Sequence, residues 1–309
     1  MDLQLDFEGR VALVTGAGSG MGRAYAQMLA SRGARVVVND INGAAAAATV
    51  EAIEEAGGQA VADAHDICVD AAKIVQSAID NYGSLAIVIN NAGIVRFGLF
   101  AEQDPATWWR TFDIHVRGTV EISRYAWPHL ASSGSGRLIN TASTGMLPGA
   151  NRSSYGAAKG AIWGLGNSLF EEGREAGIQV STILPASWTP MTESSFDVAE
   201  VRDTMRDLMP PDAVAAFVTW LAHQDTTVFG QSFQISGNAA NRTALAATPR
   251  ITAARSTPEA WVEAGTNLIA DAPMTPYKTS GESLRNELVF HNPALAEILS
   301  TNSVSIRAK

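Results

Sequence analysis

The chain has 309 residues, 46% of them hydrophobic and 17% charged, with one cysteine and a formal net charge of −9. These proportions belong to a folded globular chain and exclude a disordered segment or a disulfide scaffold. The acidic balance, with lysine only at Lys73, Lys159, Lys278 and Lys309, argues against a broad grip on nucleic acid, which needs clustered cations. No apolar run reaches the length of a membrane span, and the first ten residues lack the positive flank and apolar stretch of a signal peptide. Cys68 alone forms neither an internal disulfide nor a cysteine zinc site, and His65, His115, His129, His223 and His291 lack zinc-ligand spacing. The expectation is a cytoplasmic chain without metal, membrane or nucleic-acid partner.

Residues 11–15 form a short apolar run that opens into Gly16, Gly18, Gly20 and Gly22, followed by a helical pattern over 21–31. Six more runs of strand length follow at 35–39, 60–64, 85–90, 137–141, 178–184 and 232–235. Most are continuously apolar, as strands buried on both faces of a parallel sheet are. Residues 43–56, 71–82, 105–130, 155–176 and 211–223 read as the intervening helices. The alternation predicts a doubly wound α/β domain over residues 1–237, with a seven-stranded parallel sheet and ligands at the carboxyl ends of its strands. After Gly237 the rhythm stops. Residues 238–309, with Pro249, Pro258, Pro273, Pro276 and Pro293, read as an extension of short helices packed on the core or on a neighbouring subunit.

The turn from Thr15 to Gly22 leaves a strand and opens a helix, so backbone N–H groups at Gly16, Ser19, Gly20, Met21 and Gly22 can face a pyrophosphate. A tight strand-to-helix connection would show the same glycines. Asp40, at the end of the second strand and 18 positions beyond Gly22, suits a ribose carboxylate that repels an extra 2′-phosphate, which favours NAD over NADP. An ordinary acidic turn residue is the alternative. Asp66 and Ile67, closing the third strand, fit an adenine edge, or Asp66 a helix cap. Asn90, Asn91, Ala92 and Gly93 end the fourth strand, where they can line a cofactor trough or tie strands together.

Tyr155 and Lys159 lie four positions apart on a predicted helix and share a face. An ammonium near the phenol stabilises phenolate, and together with a positively charged nicotinamide ring it would draw the phenol's pKa, ordinarily about 10, toward neutrality. Ser143, after the fifth strand, can hydrogen-bond a reacting substrate oxygen. With the glycine turn, Asn90–Gly93, Ser143 and Tyr155-x-x-x-Lys159 in this order, residues 9–237 resemble the short-chain dehydrogenase/reductase family.

The resemblance implies a single Rossmann-type domain and a nicotinamide cofactor. It makes Tyr155 the general acid/base, Lys159 its electrostatic partner and Ser143 the oxyanion positioner, in a homotetramer or homodimer. Two departures stand out. His115 replaces the family's usual Asn, which anchors a water relay to the lysine, and Pro185-Ala186 replaces the usual Pro-Gly, with Thr189 the candidate for the carboxamide contact. Asn39-Asp40 and residues 189–192, 214–221 and 250–272 are further similar to the dehydrogenase part of multifunctional beta-oxidation enzymes and to hydroxysteroid dehydrogenases. Trp188, Met191, Phe196, Met205, Leu208 and Met209 form either an apolar lid or ordinary packing. The expected function is NAD-dependent hydride transfer with a small-molecule apolar secondary alcohol or ketone. An NADP-dependent carbonyl reductase and a cofactor-binding relative without chemistry are the rivals.

Overall fold

The computed structural model describes residues 5–193, 198–269 and 271–301. Strands β1 (Val11–Thr15), β2 (Arg35–Asn39), β3 (Gln59–Asp63), β4 (Ile87–Asn90), β5 (Gly136–Thr141), β6 (Ile178–Ala186) and β7 (Ser232–Ser236) are joined in parallel, as the continuous apolar runs predict. An eighth strand, β8 (Ala239–Thr243), corrects the expectation of seven. Only Gly237, at φ 52°, and Asn238 separate it from β7, a link short enough only for an antiparallel hairpin. Its Ala-Ala-Asn-Arg-Thr sequence is largely exposed, so it carries none of the apolar signal that marks the other seven.

The order across the sheet is β3-β2-β1-β4-β5-β6-β7-β8. The chain reverses direction of travel between β1 and β4, and the crevice above that point is where such sheets take ligands. Helices α1 (Gly20–Ala30), α2 (Gly43–Glu55) and α3 (Ala71–Tyr82) follow the first three strands. The predicted helix over 105–130 is three consecutive pieces: α4 (Pro105–Phe112), a π-helical stretch (Asp113–Arg117) and α5 (Gly118–Ser132). Helix α6 (Ser153–Ala176) carries both Tyr155 and Lys159, and α7 (Pro190–Glu193), α8 (Ala199–Leu208) and α9 (Pro211–Ala222) follow β6.

Alternate residues of each inner strand supply two cores. Ala12 and Val14 join Val36, Val38, Ile87 and Ile89 beneath Tyr25 and Leu29 of α1 and Val214 and Val218 of α9. Val11 and Leu13 face the other way, with Val37, Val88, Leu138 and Val180, against Ile74 of α3 and Ile122 and Leu130 of α5. Each such Val, Leu or Ile side chain, fully buried, contributes about 1.5–3 kcal/mol, which makes the strand ends rigid mounts for a site.

A second compact unit begins at Thr243, after Arg242. It contains the antiparallel pair β9 (Ala246–Ala247) and β10 (Thr275–Pro276) together with helices α10 (Pro258–Ala264), α11 (Ser280–His291) and α12 (Leu295–Thr301). Thr279 caps α11 by accepting from Glu282 N, and the Glu282 carboxylate in turn accepts from Lys278 N. Among the described residues no helix is long and apolar enough to cross a membrane.

Candidate active site

The turn between β1 and α1 is closed by residues without side chains. Gly16 sits at φ 63°, and a Cβ there would come within 2.8 Å of Ala92 Cα. A Cβ on Gly22 would stand 2.2 Å from Gly16 O and 2.6 Å from Asn91 Nδ2. Asn91 rivets the end of β4 to this turn, its Nδ2 donating to Thr15 O at 3.0 Å and Gly16 O at 3.2 Å, while Thr15 Oγ1 accepts from Asn91 N and Ala92 N. Ser19 is the N-cap of α1 and offers its amides no side-chain bond. Gly20, at φ 53°, has Thr189 as its nearest neighbour, with a Cβ reaching within 3.4 Å of it, so the turn and the segment after β6 meet.

Asp40 lies on the other side of the turn. Its Oδ2 accepts from Gly18 N at 3.0 Å and its Oδ1 from Asn42 N at 2.9 Å. Strand β3 ends at Asp63, so Asp66 stands in the following loop rather than closing the strand. Burial works against the Asp66 carboxylate, but the Cys68 amide at 2.8 Å and the Arg110 guanidinium at 3.0 Å prevail and hold its pKa below the usual range. Asp70, not Asp66, occupies the N-cap of α3. Ile67 packs toward Gly118, where a Cβ would come within 2.5 Å of its Cδ1. Asn90 ties two strands and a helix together, donating to Asn140 Oδ1 at 2.9 Å and Ser123 Oγ at 3.0 Å.

Ser143, Tyr155, Lys159 and His115 converge beyond β5. Ser143 Oγ accepts from Gly145 N at 3.0 Å and hydrogen-bonds the Tyr155 phenol. Lys159 is buried, its Nζ 5.6 Å from the centre of the Tyr155 ring and donating to Thr141 O at 2.5 Å. Burial lowers the ammonium's pKa to about 7. The Tyr155 phenol is shifted the other way in the protein alone. Burial raises its pKa, and the Ser143 hydrogen bond and the charge of Arg152 offset this only in part. The ammonium points at a carbonyl instead of the phenol oxygen, which is why the i, i+4 spacing alone does not make the ring acidic.

His115 lies in the π-helical stretch, a distortion that often marks functional sites, with its ring edge-on to Tyr155 at 5.4 Å and 82°. Gly93 makes room for it, since a Cβ there would come within 2.2 Å of His115 Cε1. Nε2 is within hydrogen-bonding distance of Ile94 O (2.7 Å) and Ile94 N (3.2 Å), whereas Nδ1 is buried without a partner. Burial, reinforced by the Lys159 charge, lowers its pKa to about 3. The imidazole is therefore neutral near pH 7.

Pro185 falls inside β6, paired with Ile235 of β7. Thr189 is buried and braced by Thr192, whose Oγ1 accepts from Thr189 N at 2.7 Å. Trp188 N and Ser187 Oγ both donate to Met209 O, at 2.8 and 3.1 Å, so the segment between them returns to its starting point. Of the lid candidates, Met205 is buried, Trp188 and Met209 are half-buried, and Met191 and Leu208 are exposed. Phe196 lies outside the described residues. Sequence reasoning missed this clasp and the Thr141 carbonyl, because backbone acceptors leave no residue signature. It also missed Arg152, whose signal was its place as the one cation between Ser143 and Lys159.

A family model described as short chain dehydrogenase matches residues 10–199. The chain is 39% identical over 243 residues to peroxisomal multifunctional enzyme A of Dictyostelium discoideum, covering 75% of this chain and 54% of that protein. It thus spans about half the length of that relative. It is 32% identical to a subunit of the (2S)-[(R)-hydroxy(phenyl)methyl]succinyl-CoA dehydrogenase of Thauera aromatica, covering 75% of this chain and 97% of that one. The solved structure of a short chain dehydrogenase from Mycobacterium avium is similar, with a TM-score of 0.77 and 34% identity over 89% of this chain and 99% of that one.

Proposed function

Because the chain belongs to the short-chain dehydrogenase family of oxidoreductases, which use a nicotinamide cofactor, we propose that it transfers hydride between NAD and a bulky, mainly apolar secondary alcohol or ketone. The observation that carries this reading is the meeting of Ser143, Tyr155 and Lys159 in one buried place beyond the carboxyl end of β5.

The glycine turn supports the cofactor. It leaves no side chain over the N-terminus of α1, and Ser19 leaves its amides uncapped, so the backbone at Gly16, Ser19, Gly20, Met21 and Gly22 suits a pyrophosphate. Asp40 would hold the adenosine ribose, and its negative charge favours NAD over NADP. Asp66 and Ile67 would border the adenine, Asn91, Ala92 and Gly93 the trough, and Pro185 and Thr189 the carboxamide. Bound NAD supplies C4 of nicotinamide as the hydride acceptor.

The chain's own groups manage the proton. In oxidation Tyr155 takes the proton of the substrate hydroxyl while Ser143 donates to the reacting oxygen. Lys159, fixed by Thr141 O with its Nζ 5.6 Å from the ring centre, would join its charge to that of the oxidised nicotinamide ring in favouring the phenolate, which the lysine alone does not secure. Neutral His115 packs its edge on the Tyr155 ring and leaves the Nδ1 lone pair for a water in the relay. A hydroxyacyl thioester is favoured over a hydroxysteroid, because the Thauera relative is named for an acyl-CoA substrate. Exposed Trp109 on α4 and Tyr125 on α5 offer apolar surface for a homodimer or homotetramer.

Tyr155→Phe tests the reading. It should lower turnover about 10²–10⁴-fold while NADH affinity, followed by cofactor fluorescence, stays unchanged. An unaltered rate would overturn Tyr155 as the base.

A further inference from the structure

The guanidinium of Arg152 has no task in the chemistry above. Arg152 is the N-cap of α6, one turn ahead of Tyr155, with φ −146° and ψ 35°. Among the described residues no carboxylate pairs with it and its side chain makes no hydrogen bond, and its Nε is buried without a partner. A guanidinium stays charged at every working pH, and leaving one of its N–H groups buried and unpaired is costly.

The guanidinium lies against a turn that carries no side chain. Residue 149 is glycine, and a Cβ there would come within 2.3 Å of Arg152 Nη2 and 2.7 Å of Nε. Asn151 is held at φ 62°, and among the described residues it is the one non-glycine residue in that left-handed region. Its carbonyl accepts from Gly98 N at 2.9 Å, and Gly98 forms a parallel bridge with Arg152. The loop after β4 therefore clamps the loop before α6. The clamp and the left-handed Asn151 fix the backbone that carries Arg152, whose guanidinium lies over Gly149 without a protein partner and acts by its charge on the phenol.

We propose that Arg152 is a specificity determinant that binds a carboxylate carried by the substrate within a few bonds of the carbinol carbon, a proposal that rests on the oxidoreductase reading. The planar fork of a guanidinium matches a carboxylate with two parallel N–H···O bonds. The N-terminus of α6, which has no acidic residue in its first turn, adds favourable polarity. The single turn between Arg152 and Tyr155 sets the short span. A phosphate at the far end of a long carrier would lie beyond it.

The test is calorimetric titration of hexanoate, hexanamide and inorganic phosphate into the protein, with and without saturating NADH. Hexanoate should bind about tenfold more tightly than hexanamide, a difference of about 1.4 kcal/mol, and more tightly than phosphate. R152Q should erase the acid preference with NADH affinity unchanged, and R152K, which keeps the charge without the fork, should retain part of it. No hexanoate binding, equal binding of acid and amide, tighter binding of phosphate, or a preference that survives R152Q overturns the proposal. Failure of the unaltered protein to bind NADH brings down the dinucleotide reading instead, and the titrations without cofactor still report on Arg152.

Discussion

Around the glycine turn, polar groups are paired within the protein: Asp40 with Gly18 N and Asn42 N, Asn91 with Thr15 and Gly16, Thr15 Oγ1 with two amides. Around Tyr155 many are not. His115 Nδ1, Asn140 Nδ2, Thr141 Oγ1, Arg152 Nε and Ser154 Oγ are all buried without a partner. Buried polar groups are ordinarily satisfied, so a concentration of exceptions marks a place where a ligand or ordered water completes the bonding. The turn is thus held in place by its own hydrogen bonds, as the proposed dinucleotide site requires. The Tyr155 side instead leaves several buried polar atoms without a protein partner.

Gly22→Ala strikes the paired side hardest. The new Cβ would meet backbone at Gly16 O, not the end of a flexible side chain, so the turn itself must move. The expected cost is about 3 kcal/mol of stability, together with a loss of NADH affinity, measured by urea unfolding and fluorescence titration. Unchanged unfolding and binding would show that the turn is not the rigid part.

Lys159→Met probes the other side through pH. The Lys159 ammonium has a pKa of about 7 in the fold against an ordinary 10.5. Below about pH 7 both folded and unfolded chains hold the proton, and the full cost of burying the charge is felt. Between these values the folded chain has released the proton and the unfolded chain keeps it, so stability rises with pH. The unaltered protein should therefore gain on the order of a few kcal/mol relative to Lys159→Met from pH 7 to 10.5. Parallel pH–stability curves for the two proteins would mean that the ammonium is already compensated.

The two sides also differed in how far they could be read in advance. Strands such as Val11–Thr15 and Ile87–Asn90 are legible because burial on both faces demands continuous apolar residues, whereas β8 lies exposed and its residues answer to no core. Placing Ser143, Tyr155 and Lys159 together followed from helix spacing and strand ends. Their electrostatics did not, because the direction of Lys159 toward Thr141 O and the burial of the phenol depend on packing from several elements. Asp66 read as a strand end because the loop after Asp63 has no breaker to mark where the ladder stops. Arg152 drew no reading from the sequence, since nothing in the spacing shows that its guanidinium lies over Gly149 without a partner.

Asp40→Asn sharpens the comparison with the smallest change. The amide keeps an oxygen acceptor for one of the two N–H groups that Asp40 now holds, so the cost in stability should stay near 1 kcal/mol. What the substitution removes is the charge. If that charge sets cofactor choice, the ratio of NADP to NAD affinity should rise about tenfold, or about 1.4 kcal/mol. The same cause should make the unaltered protein's preference shrink in about 1 M salt, where the screening length falls to about 3 Å. A preference that ignores both the substitution and the salt would be steric, set by the Gly18–Asp40 contact and the fit of Ala45 against it, and the paired side would then select its ligand by shape alone.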